Sequence, residues 1–357
     1  MIACVIGTRP EAIKMAPVIR ELRRRQIPHR VITTGQHRDW RMMGAFLAGF
    51  ELVVDHELPP APHDLLESFL AITRGLGELF AVERPKLVLA VGDTTTVIAA
   101  AFSARKSGSG FGHVEAGLRA FSRELPEEEH RICADAMADL LFAPTSIAVA
   151  NLTREHVNGQ IIHTGNTVLD ALRMHPPKRC DARDGILVTL HRQETVDRPD
   201  RLASLFAAID RLAATHTVIW PLHPRTRAKA AEAGLELPRN VDVREPIDHA
   251  AFLELLAGAA AVITDSGGVQ EEAAILGTPC VIVRANTERM ETIEAGVAVL
   301  ATTDAASIAQ AAARIFSEWA AFARPVPELY GDGHAGAKIV DASLAWLAAP
   351  AAVELVA

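Results

Sequence analysis

At 357 residues the chain exceeds the roughly 250 to 300 at which single hydrophobic cores stop growing, so two domains are expected. Hydrophobic residues make up 49% and charged residues 22% of it, which excludes a disordered or fibrous chain. A formal charge of -8 leaves no broad basic surface for nucleic acid, although it permits concentrated cationic pockets.

Short β-branched apolar runs alternate with amphipathic segments from the start. Strands are predicted at Ile2 to Ile6, Arg30 to Thr33, Leu87 to Val91, Gly112 to Val114 and Leu140 to Phe142, with helices such as Pro10 to Arg25 and Leu65 to Phe80 between them. Runs without polar alternation read as strands buried on both faces, so the units are βαβ and the sheet is mostly parallel. After His175-Pro176-Pro177-Lys178 the pattern repeats at Ile186 to Thr189, Thr217 to Trp220, Val241 to Val243, Ala261 to Thr264 and Cys280 to Val283. The expected fold is α/β: two Rossmann-like doubly wound domains facing across a cleft, joined by a linker near residues 166 to 184.

Cys4, Cys133, Cys180 and Cys280 form no CxxC pair, and buried free thiols in a reducing cytoplasm fit them best. The first apolar run stops at Ile6, too short for a signal sequence. Phe252 to Thr264 carries Glu254 and falls short of the roughly 20 apolar residues a membrane span needs, so no membrane association is expected.

In open parallel sheets ligands bind beyond the carboxyl ends of strands, and polar residues collect there. The first strand runs into Gly7-Thr8-Arg9-Pro10-Glu11, where Thr8 and Glu11 match a capping box and Arg9 and Lys14 would flank an anion at the helix N-terminus. Asp93 follows the third predicted strand and Glu115 the fourth, while Glu127 lies in Pro126-Glu127-Glu128-Glu129-His130-Arg131, a helix start. Glu128 and Glu129 read as surface charges complementing the helix dipole. His191 and His223 each follow a strand of the second half and read as ligand contacts. Asp265-Ser266-Gly267-Gly268 follows another; its glycines would admit a phosphate to a helix N-terminus, with Glu272 one turn on able to accept ribose hydroxyls. Arg284, Glu288 and Arg289 read either as ligand contacts or as a solvated loop.

A GxxxxGK[ST] loop is absent, and so is GxGxxG after the first strand, which argues against a P-loop nucleotidase and against NAD. His113-Val114-Glu115 resembles half of a zinc deaminase motif without the PCxxC that should follow.

Taken together, Gly7 to Lys14, Thr34-Gly35-Gln36-His37-Arg38, Gly92 to Thr96, His113 to Arg119, Pro126 to Arg131, Thr164 to Thr167, His191-Arg192, Asp265 to Glu272, Asn286 to Arg289 and Tyr330 to Gly333 resemble, in order, the non-hydrolysing UDP-N-acetylglucosamine 2-epimerases. The resemblance spans roughly residues 1 to 345. It implies a glycosyltransferase-B type fold with residues 1-167 as the first domain, 168-339 as the second, and the last helix, about 340-357, packing back on the first. It further implies that UDP is held by Phe252 at the uracil, by Ser266, Gly267 and Gly268 at the phosphates, by Glu272 at the ribose, and by Arg9. By the same resemblance Asp93, Glu115 and Glu127 hold the essential carboxylate positions, His191 is a catalytic partner, and Lys14, Arg131, His223 and Arg289 bind substrate. The implied reaction inverts C2 of a UDP-linked N-acetylamino sugar through elimination of UDP and re-addition, with no cofactor, no metal and a homodimeric enzyme.

The chain departs from the pattern in places. Residues 55 to 64 lack the Arg-Gln pair with which some relatives bind an activating UDP-sugar, His130 replaces asparagine, Thr195 replaces asparagine, and Met290 replaces proline. These changes leave open a 2-epimerase of another nucleotide-linked amino sugar, and a glycosyltransferase of the same fold stands as the alternative from a different class.

Overall fold

A computed structural model describes residues 1-36, 49-62, 64-122, 125-178 and 183-349. The chain divides into two compact units. The first comprises Met1–Ala171 with the described residues from Tyr330 onward, and the second Leu172–Leu329.

The first unit is built on parallel strands β1 (Ile2–Ile6), β2 (His29–Thr33), β3 (His56–Glu57), β4 (Leu87–Val91), β5 (Gly110–Val114), β6 (Leu140–Ala143) and β7 (Gln160–His163). Their order, β3-β2-β1-β4-β5-β6-β7, reverses direction between β1 and β4, so the loops leaving those two strands diverge and open a crevice. Helices α1 (Arg9–Arg24), α2 (Leu65–Glu83), α3 (Thr95–Ser107), α4 (Pro126–Met137), α5 (Ser146–Arg154) and α6 (Thr167–Met174) connect them. All five residues of β1, of β4 and of β5 are buried, as two-sided helical cover requires.

The second unit repeats the plan with β8 (Ile186–Thr189), β9 (Val218–Pro221), β10 (Asp242–Arg244), β11 (Ala261–Thr264), β12 (Cys280–Val283) and β13 (Ala298–Ala301), ordered β10-β9-β8-β11-β12-β13. Its helices are α7 (Gln193–Val196), α8 (Pro199–Ala213), α9 (Pro224–Glu232), α10 (His249–Gly258), α11 (Gly267–Leu276), α12 (Met290–Glu294), α13 (Ala305–Ser317) and α14 (Trp319–Phe322). One face of the sheet buries Trp220 edge-on against Phe206 at a centroid distance of 5.6 Å. The other packs Leu253, Leu256 and Ile282. Full burial of each such large side chain contributes about 1.5–3 kcal/mol.

The last helix, α15 (Ala335–Ala348), belongs to the first unit. Asp170 caps it, accepting the amides of Ala335 (3.2 Å) and Gly336 (2.9 Å). Gly336 lies against α1, where a Cβ would stand 2.9 Å from the Pro17 backbone, so only glycine admits this approach.

Three strands escape the sequence reading: β3, β7 and β13. Each lies at a sheet edge; β3 and β7 carry no continuous apolar run and no residue of β7 is buried, whereas β13 is apolar throughout and is missed all the same. At the sheet edge β10 starts one residue later than predicted, and its neighbour β9 does likewise. Cys4 and Cys280 are buried free thiols as expected, but Cys133 is exposed on the outer face of α4; Cys180 lies outside the described residues. No helix among the described residues is long and apolar enough to cross a membrane.

Candidate active site

In the first unit the strand-end loops meet through side chains. Glu11, in the first turn of α1, turns its carboxylate back so that Oε2 accepts the amides of Gly7 (2.5 Å) and Thr8 (3.1 Å). Its Oε1 accepts the hydroxyl of Thr94, one residue beyond Asp93. A single buried carboxylate therefore clamps the loops after β1 and β4, the two that diverge at the crevice. Burial pushes Glu11 up to about 7 against the pull of these three donors, and the neighbouring charge of Asp93 adds to the rise. Gln36 joins the clamp by accepting the amide (3.1 Å) and hydroxyl (2.7 Å) of Thr96; His37 and Arg38 of the same motif lie outside the described residues.

One turn beyond Glu11, Lys14 places Nζ 2.5 Å from Oε1 of Glu115, with both side chains buried. Glu115 leaves β5 with φ of 70°, a left-handed conformation that costs a non-glycine residue about 1–2 kcal/mol. The turn is held because the amides of Glu115 and Ala116 both donate to the Phe142 carbonyl, at 3.1 and 3.2 Å. Strained backbone of this kind clusters where a side chain must be aimed.

Arg131 of α4 gives one guanidinium nitrogen to Oδ2 of Asp93 and another to Oε2 of Glu128, at 2.6 Å for the latter. His130 places Nδ1 2.9 Å from the Asp93 carbonyl. The sequence alone marks Glu128 as a surface charge. It is instead buried and accepts the amides of Ala120 (3.0 Å) and Phe121 (2.9 Å), because it faces inward on α4 while Glu129 faces out. Glu127 is half-buried on the first turn of the same helix, four residues before Arg131 and so on its face. Arg9, half-buried, is the first residue of α1. The structure thus brings together Asp93, Glu115, Lys14 and Arg131, with Glu127 and Arg9 on the elements that carry them.

The second unit places its candidate residues around the ends of β8 and β11. Asp265 is fully buried and accepts the amides of His191 (3.0 Å) and Arg192 (2.9 Å), tying the two loops at that sheet's own crevice. The His191 ring stands with Nδ1 3.6 Å from Oδ1 of Asp265 and stacks on His223 at a centroid distance of 5.2 Å. His223 also has a local duty: its Nδ1 accepts the Arg225 amide at 3.1 Å and caps α9.

Ser266 is the N-cap of α11, yet its hydroxyl makes no capping bond to that helix. The first-turn amides of a helix are natural anion ligands. The two glycines that follow serve different ends. A Cβ on Gly267 would stand 2.4 Å from the Arg289 guanidinium and 2.8 Å from Glu288 Oε1, whereas one on Gly268 would meet nothing within 4 Å. Gly267 therefore admits Arg289 beneath the turn, and Gly268 leaves space beside it. Arg289 contacts Glu271 at 2.8 Å and also Glu288, which pairs with Arg284 at 2.7 Å. All four side chains are buried, so residues 284-289 form a packed ion-pair cluster and the solvated-loop reading is excluded.

Glu272 is joined by a residue the sequence reading passed over, His249, whose Nε2 lies 2.7 Å from Oε1 of Glu272. The signal was present: His249 precedes Phe252 by three residues on α10, which puts both on one helix face. Phe252 itself is half-buried against the Leu253 and Leu256 side of the core. No group of His, Cys, Asp and Glu suited to a metal ion occurs among the described residues.

Residues 20–344 match the family model described as UDP-N-acetylglucosamine 2-epimerase. A UDP-N-acetylglucosamine 2-epimerase of Methanococcus maripaludis is 36% identical over 361 residues, covering 95% of this chain and 97% of the relative. A UDP-2,3-diacetamido-2,3-dideoxy-D-glucuronate 2-epimerase of Pseudomonas aeruginosa is 34% identical over 354 residues, covering 95% and 98%. Among solved structures, Methanocaldococcus jannaschii UDP-GlcNAc 2-epimerase in complex with UDP-GlcNAc and UDP superposes with a TM-score of 0.88 at 32% identity, over 96% of this chain and 99% of that one. Two parallel Rossmann-like sheets, the clustered carboxylates and likeness along almost the whole sequence agree: the chain belongs to the UDP-N-acetylglucosamine 2-epimerase family, a family of isomerases.

Proposed function

We propose that the protein interconverts UDP-N-acetylglucosamine and UDP-N-acetylmannosamine by eliminating UDP and adding it back. The observation that carries this reading is the placement of Asp93 and Glu115 at the ends of adjacent strands, each carboxylate paired with a buried cation, Arg131 and Lys14 respectively. In the forward half-reaction a carboxylate takes the C2 proton, the C2–H electron pair forms the C1–C2 double bond, and the C1–O bond breaks toward UDP. The products are UDP and a bound 2-acetamidoglucal. In the return half-reaction UDP oxygen adds to C1 while an acid delivers a proton to the opposite face of C2. No net oxidation occurs. An acid or base at each face contributes about 10² to 10⁴-fold in rate, with Glu127 the third carboxylate of the set. Cations and helix amides near the leaving diphosphate stabilise its charge; on this reading those are Arg9 and the turn at Ser266, Gly267 and Gly268, with Glu272 at the ribose, Phe252 at the uracil, and His191, His223 and Arg289 as further polar contacts.

A homodimer, which rests on the family resemblance, in the cytoplasm, which rests on the unpaired cysteines, completes the proposal. The test is incubation with UDP-N-acetylglucosamine in deuterated water. Deuterium at C2 in both epimers is expected, and recovery of unlabelled, unepimerised substrate would end the proposal. A second reading, epimerisation of a 2,3-diacetamido uronic acid linked to UDP, is favoured by the Pseudomonas aeruginosa relative and by His130 standing against Asp93. The same exchange assay run on both nucleotide sugars separates the two.

A further inference from the structure

His113 lies inside β5 with its ring wholly buried. Nδ1 is 2.6 Å from Oδ1 of Asp135, and Nε2 is 2.8 Å from the carbonyl oxygen of Gly92. A carbonyl oxygen only accepts. The other oxygen of Asp135 takes the Gly117 amide at 3.1 Å and the Arg119 guanidinium at 2.8 Å, which marks the carboxyl as ionised and therefore as an acceptor too. Both ring nitrogens must carry hydrogens, since a neutral ring would set a lone pair against an oxygen.

The same contacts fix two turns. Gly92 donates its amide to the Val114 carbonyl at 3.1 Å while its own carbonyl takes His113, so the residue that leads into Asp93 is fastened through both its backbone polar groups. Asp135 in turn holds Gly117, two residues after Glu115. We propose that His113 is a standing imidazolium and a positioning residue: through Gly92 it aims Asp93, and through Asp135 it holds the turn that carries Glu115.

The charges facing the ring support this. Asp135 is fully buried, Arg119 is buried beside it, and Glu155 shares the same Arg119 nitrogen at 2.6 Å, so a charged His113 gives two cations to match two anions. Burial alone would lower the His113 pKa, but the charge and hydrogen bond of Asp135, with the Gly92 carbonyl, outweigh burial and Arg119 and leave it raised. A buried ionic chain is a poor source of net stability, because desolvation offsets most of the attraction. Geometry at the two carboxylates gives it a use.

The charge and clamping claims stand on the contacts; the catalytic consequence rests on the epimerase reading. The first test is nitrogen NMR of histidine-labelled protein from about pH 6 to about pH 9, the range in which a free imidazole loses its proton. His113 should keep both ring nitrogens protonated throughout, and a neutral tautomer anywhere in that window overturns the imidazolium. The second uses Asp135→Asn, which keeps an acceptor and removes the charge. Amide exchange at Gly92 to Thr94 and at Glu115 to Gly117 should quicken at least about tenfold while α2 keeps its protection; unchanged exchange at both turns overturns the clamp. The third is kinetic: kcat should fall about 100-fold, as for small misplacement of reacting groups, with KM within about threefold, and an equal loss in KM contradicts positioning. His113→Gln should share this split, and should either variant fail to fold, the wild-type spectra still decide the charge. Wild-type protein that shows the imidazolium and the exchange pattern but no epimerisation would overturn the function reading and leave the clamp standing.

Discussion

The crevice ends of the two sheets share a topology and are built by different means. In the first unit, charged side chains reach across the fold: Lys14 to Glu115 over 101 positions, Glu11 to Thr94 over 83, Arg131 to Asp93 over 38. In the second, the phosphate-type turn is made of backbone, with α11 following directly from β11 and Arg289 tucked under Gly267. On the proposed function, the difference follows from what each unit would do. Moving a proton requires carboxylates fixed to within a fraction of an ångström, which long-range ion pairs in a packed core help to supply. Holding a diphosphate requires amides pointing one way, which a helix N-terminus supplies locally.

The largest expected effect tests the first half of that contrast. Asp93→Asn and Glu115→Gln should each lower kcat by about 10² to 10⁴-fold while UDP affinity, read by calorimetry, stays within about twofold. A parallel loss of UDP binding would mean that the two units do not divide the work as argued.

Gly267→Ala tests the other half. Its new methyl would press on Arg289 and Glu288, and overpacking of this kind costs about 1–3 kcal/mol, so Tm should drop and UDP affinity weaken by about 10 to 100-fold. Gly268→Ala enters open space and should leave Tm alone; if it weakens UDP all the same, that space belongs to the nucleotide.

How much of this was legible beforehand divides along the same line. Strands buried on both faces announced themselves through unbroken apolar runs, and the glycine turn through two adjacent residues. The edge strands β3 and β7 gave no such run, whereas β13, Ala298–Ala301, is apolar throughout and is missed all the same. Nor could sequence tell Glu128 from Glu129, since only the packing of α4 decides which of two neighbouring acids turns inward. His113 stood in a motif read for its likeness to a metal site, whereas its partners, Gly92 and Asp135, lie 21 and 22 residues away and meet it only when β4, β5 and α4 are assembled.

A smaller effect is expected at the ribose. Glu272→Ala should weaken UDP by about tenfold, the worth of one charge-assisted hydrogen bond, and leave 2′,3′-dideoxy-UDP nearly unaffected. His249→Ala, which removes the partner of Glu272 Oε1, should do so by about threefold. Equal losses for both nucleotides would place Glu272 elsewhere.

The smallest effect compares two buried acids. Glu11 in the first unit and Glu291 in the second are both raised to about 7, in each case chiefly by burial. Glu11 is lowered by its donors at Thr94, Gly7 and Thr8. Glu291 is lowered by its own amide and Arg289 and raised by Glu271 and Glu288. For an acid whose folded pKa lies above its unfolded one, the stabilising contribution is complete below the unfolded value, here 4.5, and is lost as pH rises through the folded value. Between about pH 6 and about pH 8 each group should therefore cost the folded state about 1 kcal/mol. Denaturant melts of wild type and Glu291→Gln across that window check this: the variant should gain on the wild type by about that amount as pH rises. Glu11→Gln should show the same gain with pH from a lower starting stability, because the amide cannot accept all three of the bonds that hold the two loops together. A constant difference between Glu291→Gln and wild type at all pH values would show that Glu291 is already ionised at about pH 6, its burial offset by Arg289.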